Sequence, residues 1–93
     1  MEPSGSVRVP LGRTVATPAA LAAVSQPDIL AALRRHAAGD WGNVDPDDRA
    51  ANDLALATGG RLLSVYESAE ETTFWVITEA DRSVTTVLLP DDY

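Results

Sequence analysis

The chain reads as an α+β protein: N-terminal helices followed by a three-stranded antiparallel β-meander, with the helices packed on one sheet face. Three observations lead there. Residues Arg61 to Tyr93 hold three short runs of alternating character, separated by polar turns. Before them lie helix-start signals, each with a Pro in the first turn, followed by apolar residues at helical spacing. The connections between the β-type runs are short, which makes neighbouring strands antiparallel.

Each element follows from its own residues. Residues 1–10 are expected to form a tail, with Met1 to Ser6 polar and frayed, and residues 11–93 a single domain. Pro10 and Gly12 interrupt an alternating stretch, which leaves at most a short edge strand around Arg13 to Ala16. Thr17-Pro18 starts a short Ala-rich helix, since Thr caps and Pro fits the first helical position. Ser25-Gln26-Pro27-Asp28 restarts the pattern, and Ile29, Leu30, Leu33 and Ala37 form an apolar stripe. Arg34, Arg35 and His36 suit the negative end of that helix, and Gly39 its C-cap. Asp45-Pro46-Asp47-Asp48 is the strongest capping signal, and its helix runs to about Thr58 with Ala51, Leu54, Ala55 and Thr58 on one face. Gly59-Gly60 ends it. The strands are expected at Arg61 to Glu67, Thr72 to Glu79 and Val84 to Leu89, where Pro90 stops the last.

Composition narrows the function. A chain of 93 residues makes one domain, and at this size it buries only roughly 60–65% of its unfolded surface. Its apolar fraction of 45% and charged fraction of 23% place it among globular rather than disordered chains. Without Cys there is no disulfide, thiolate metal site or cysteine nucleophile, and a reducing cytoplasm fits. Fourteen acids against seven bases, all Arg, give a net charge of −7. That charge opposes direct binding to nucleic-acid phosphates and to anionic membranes. No apolar run approaches the ~20 residues of a membrane span, and the first residues lack the apolar core of a signal peptide. No phosphate loop, nucleophile elbow or dinucleotide motif is present. No cofactor or metal is called for by the sequence.

Several groups remain as candidates. His36 and Asp40 are four apart, contact spacing on a helix, which suits either an oriented base or a helix-end His beside a loop acid. Trp41, in a loop, serves equally as an interface anchor or as core, whereas Trp75 alternates within a strand and reads as core. Asp45, Asp47, Asp48 and Asp53 either imitate a phosphate track for a basic groove or cap and solvate a helix. Glu79, Asp81 and Arg82 crowd one hairpin turn, either as an exposed ion-pair cluster or as a binding surface, with Arg82 suited to bidentate recognition.

The string GDWG (Gly39 to Gly42), the acidic helix start with Asp48 and Asn52, WVITEADRS (Trp75 to Ser83) and TTVLLPDDY (Thr85 to Tyr93) together resemble a group of small bacterial proteins labelled plasmid-related. The similarity runs from about Leu11, through LGRTVATP, to Tyr93. It implies residence on plasmids or other mobile elements, and with that roles such as anti-defence, toxin–antitoxin or plasmid maintenance. The combined expectation is a non-enzymatic acidic protein that binds and inhibits a partner with a basic surface, such as a nucleic-acid-binding defence complex. Its contact residues would be Asp40, Trp41, Asp47, Asp48, Glu79, Asp81 and Arg82. The alternatives are a small toxin or nuclease using His36 with Asp40, Glu79 or Arg82, and a homodimer formed through a sheet edge or face, for which no Lys guards the edges.

Overall fold

The computed structural model describes residues 7–93; the expected frayed tail, Met1 to Ser6, lies outside them. The class is α+β, as expected, but the sheet has four strands and is mixed. The elements run β1 (Arg13–Ala16), α1 (Pro18–Ala23), α2 (Gln26–Ala37), α3 (Pro46–Thr58), β2 (Leu62–Glu67), β3 (Thr73–Thr78), β4 (Val84–Leu88) and a 3-10 turn (Pro90–Asp92). The strand order is β1-β4-β3-β2. The three-stranded meander is therefore present as β2-β3-β4, and the correction is β1, which joins it parallel to β4. Among the described residues no helix is long and apolar enough to cross a membrane.

The helix starts follow their capping residues. The side chains of Thr17, Ser25 and Asp45 accept hydrogen bonds from the backbone N–H three residues on, at Ala20, Asp28 and Asp48. Each satisfies one of the donors a helix leaves unpaired at its start. Gly59 closes α3 in the left-handed conformation.

One sheet face is formed by Leu62, Ser64, Tyr66, Phe74, Val76, Thr78, Thr85 and Val87, all buried. Ala20 and Val24 of the α1 region and Ile29 and Ala32 of α2 pack on it. Leu30 is 44% exposed, so the buried stripe of α2 is Ile29, Ala32, His36 and Ala37 rather than the expected one. α3 lies at the outer edge of β2 instead of on the face. Its expected apolar side is out of phase: Leu54 is 65% exposed, while Asn52 and Ala55 are buried. Asn52 explains the phase. Its Nδ2 donates to the Leu63 carbonyl (2.7 Å) and its Oδ1 accepts from the Leu63 N–H (3.1 Å), so one side chain stands in for a neighbouring strand. The next outward-facing residue, Val65, donates to the Trp41 carbonyl (3.0 Å) and accepts from the Asn43 N–H (2.7 Å). The β2 edge is thus closed.

A second apolar cluster joins Val9, Trp41, Ala55 and Leu62. Val9, inside the expected tail, is fully buried, and both its N–H and that of Arg8 donate to the Ala37 carbonyl. The packed fold therefore reaches back beyond residue 11. Gly42 permits the closure at β2. It has φ +73°, and a Cβ there would overlap the Val65 carbonyl oxygen. Gly42→Ala is expected to lower the unfolding free energy by about 2–4 kcal/mol, through backbone strain and a lost edge closure; urea denaturation measures it.

Candidate partner-binding face

The residues singled out for chemistry are largely used by the fold itself. His36 is fully buried. Its Nδ1 lies 2.6 Å from Ser64 Oγ and its Nε2 lies 2.8 Å from Thr78 Oγ1. Thr78 Oγ1 is 2.7 Å from Thr85 Oγ1, and Thr85 donates to the Leu11 carbonyl at 2.7 Å. This chain of bonds has only one consistent direction, because a hydroxyl carries one proton and the Leu11 carbonyl can only accept. Thr85 spends its proton on Leu11, so it accepts from Thr78. Thr78 has then spent its own, so it accepts from His36 Nε2–H. In the neutral ring that burial favours, Nδ1 then accepts from Ser64. The imidazole is therefore the neutral Nε2–H tautomer. Burial, with the charge of Arg82 nearby, pushes its pKa down to about 4. The edge of the ring meets the Trp41 indole at 5.7 Å.

The expected pairing of His36 with Asp40 does not form. Asp40 instead takes a two-pronged contact from Arg35, at 2.8 and 3.3 Å, and accepts from the Gly42 N–H. The Arg35 contact holds the Asp40 carboxyl below its usual range. Ser64 beside His36 has the spacing of a nucleophile and its base, but both side chains are fully enclosed and a substrate has no path to them.

Trp41 is likewise core. It is 1% exposed, and its indole N–H donates to Asp53 at 3.0 Å, so it is no interface anchor. Arg82 turns inward rather than outward. Its Nη1 donates to the Gly60 carbonyl at 2.5 Å and its Nη2 to the Ala55 carbonyl at 3.1 Å, which ties the β3–β4 turn to the end of α3 and the residue after its C-cap. Bidentate recognition of a partner by Arg82 is thereby corrected to an internal role, bridging the β3–β4 turn and the end of α3. Arg82→Met is expected to cost about 1.5–3 kcal/mol of stability, read by thermal melting, while leaving partner capture unchanged. Glu79 forms an ion pair with Arg61 at 3.5 Å, and Asp81 accepts from the Ser83 N–H at 3.0 Å in its exposed turn. Asp47 and Asp48 stay exposed on the first turn of α3, where Asp45 alone makes the cap.

What sequence reasoning missed is the second face of the sheet. The β-registers place Leu63, Ile77, Thr86 and Val15 in one row across it and Val65, Trp75 and Leu88 in the next. Among the described residues no α-helix packs on this side, yet Ile77 and Leu88 are buried there, and the C-terminal Tyr93 folds against Trp75. Trp75, expected in the core, is only half-buried here, and its ring meets Tyr93 edge-on at 5.6 Å. Tyr93 is 70% exposed, and its hydroxyl accepts from Arg61 at 2.7 Å. Arg61, Leu63, Trp75, Ile77 and Tyr93 together line a cavity of about 290 Å³.

No family model, curated protein or solved structure matches this chain. The face must therefore be read from its own chemistry.

Acids surround it. Glu67 continues the strand alternation at the margin of β2, and Glu70 and Glu71 follow in the next turn. Glu79 flanks the cavity through Arg61. Asn43, two residues before the Asp45 cap, is bonded to Val65, the register partner of Trp75. The acidic first turn of α3 thus begins a few residues from the Val65–Trp75 row.

Proposed function

We propose that this is a non-catalytic interaction protein that binds a partner with a basic surface through the sheet face opposite its α-helices. The observation that carries the reading is the part-buried Trp75, with Leu63, Val65 and Tyr93, on the sheet face opposite the α-helices, with Glu67 and Glu79 at its margin. Aromatic anchors inside a polar rim are the usual energetic centre of a protein interface. The acidic border and the net charge of −7 favour a cationic partner and hasten encounter with it. Together with the resemblance to plasmid-related proteins, this supports inhibition of a basic nucleic-acid-binding complex as the activity, with the acids occupying ground that phosphates would take.

The contact set in this reading is Trp75, Leu63, Val65 and Tyr93 at the centre, with Asp47, Asp48, Glu67 and Glu79 around them. Asp40, Trp41 and Arg82 leave it, and Asp81 stands in the exposed β3–β4 turn beyond it. The test is affinity capture from host lysate, with nuclease treatment, comparing the wild-type chain with Trp75→Ala. Capture of a basic complex that Trp75→Ala loses supports the reading. Undiminished capture by Trp75→Ala removes the face from it.

A further inference from the structure

The two edges of the sheet are treated differently. At β2 every outward-facing backbone group of Leu63 and Val65 is bonded, by Asn52, Trp41 and Asn43. At β1 the pairing with β4 uses the N–H groups of Arg13 and Thr17, bonded to the carbonyls of Ser83 and Val87, and the register makes Val15 the third residue facing β4. Thr14 and Ala16 therefore direct their N–H and C=O groups away from the sheet, and among the described residues no backbone group pairs with them. Arg13 and Thr14 are exposed. Such an edge is a template for another strand.

We propose that two copies of this chain pair antiparallel through β1, giving a continuous eight-stranded sheet about a two-fold axis at Val15. The register follows from the strand itself. Placing Thr14 opposite Ala16 of the second copy uses all four outward groups on each chain and forms four backbone hydrogen bonds. Placing Thr14 opposite Thr14 calls on Gly12, whose φ of +64° is not extended. Placing Ala16 opposite Ala16 calls on Pro18, which has no N–H to give. Only the first register is complete, and it is self-complementary, as a two-fold interface requires.

Charge selects the same occupant. In this register Arg13 stands opposite Thr17 of the second copy. The Thr17 hydroxyl donates to the Asp92 carboxylate at 2.7 Å, so an acid is fixed beside that position. Arg13 makes no side-chain bond among the described residues and is available to it. Two Arg13–Asp92 contacts, one at each end, then close the pair. Val15 meets Val15 of the second copy on the face opposite the α-helices, so the two faces run together. This inference goes beyond the partner-binding reading and uses different residues.

Sedimentation velocity across a wide concentration range tests it. The wild-type chain is expected to dimerise reversibly, more weakly at high salt. Arg13→Glu sets a carboxylate against Asp92 of the second copy and is expected to weaken the dimer about tenfold or more, with an unchanged far-UV spectrum and, at concentrations where both chains are monomeric, an unchanged melting temperature. In hydrogen exchange, the Thr14 and Ala16 amides gain protection as the dimer fills. A wild-type chain that stays monomeric at its highest soluble concentration overturns the proposal. So does a dimer that keeps fast exchange at Thr14 and Ala16, or one that Trp75→Ala dissociates and Arg13→Glu does not.

Discussion

His36→Phe is expected to lower the unfolding free energy by about 2–4 kcal/mol at pH 7, one of the largest losses available to any single side chain here. Phe occupies the imidazole site and slightly overfills it, so the loss is polar with a smaller packing contribution. Ser64 is left with no acceptor for its proton, and Thr78 loses its donor, both inside a closed core. Replacing the ring together with both hydroxyl partners, as Ser64→Ala/His36→Phe/Thr78→Val, is expected to cost less than the sum of the single changes, because no buried group is then orphaned.

The same side chain sets an acid dependence. The unfolded imidazole titrates near 6.5 and the folded one near 4. The unfolded state therefore binds the proton more readily, and acid favours unfolding. This contribution to stability is fully present above pH 6.5 and is lost as the pH falls from there toward 4. The gap between the two values corresponds to on the order of 3 kcal/mol. Urea denaturation at stepped pH measures it. In His36→Phe the part of the slope lying between pH 6.5 and 4 is expected to vanish, and an unchanged slope would assign the acid sensitivity elsewhere.

The second large effect concerns binding. Trp75→Ala is expected to weaken partner capture by about 30-fold or more, the scale of losing one aromatic anchor, while stability falls less than it would for a fully buried tryptophan, because the indole is only partly buried. Asp47→Arg/Asp48→Arg acts on the rim instead. Those side chains leave the capping bond to Asp45, so the helix start survives, with only the favourable first-turn charge lost. The expected result is slower association and an altered salt dependence, with a change in melting temperature smaller than the change in capture. Equal losses in both would return the two acids to a purely helical role.

Local chemistry made most of the elements legible. Thr17, Ser25 and Asp45 mark their helices because a cap works through residues three apart, and Pro90 marks the end of β4 for an equally local reason. What stayed hidden depends on partners distant in sequence. The short edge strand expected at Arg13 to Ala16 forms as β1, but its parallel partner lies some seventy residues away, which no window of the sequence displays. In β3 both alternating sets are apolar, Phe74 and Val76 on one side, Trp75 and Ile77 on the other, so the pattern shows two faces without saying which one the helices cover. That ambiguity exchanged the roles of Trp41 and Trp75. Asn52 was overlooked because a buried polar residue runs against the apolar stripe used to phase α3. His36 had a faint signal. Ser64, Thr78 and Thr85 share strand parity with Tyr66, Val76 and Val87, so a row of hydroxyls faced the helices and needed a polar partner from them.

The sheet face opposite the α-helices, centred on Trp75, is the core of this account. The measurement that tests it most directly is quantitative capture from nuclease-treated lysate at low and high salt, with wild type, Trp75→Ala and Asp47→Arg/Asp48→Arg compared in parallel. The account expects one basic complex, held by wild type, lost with Trp75→Ala at both salts, and reduced with the charge reversal chiefly at low salt. Equal capture by all three folded proteins, or no protein captured specifically by the wild type, would contradict it.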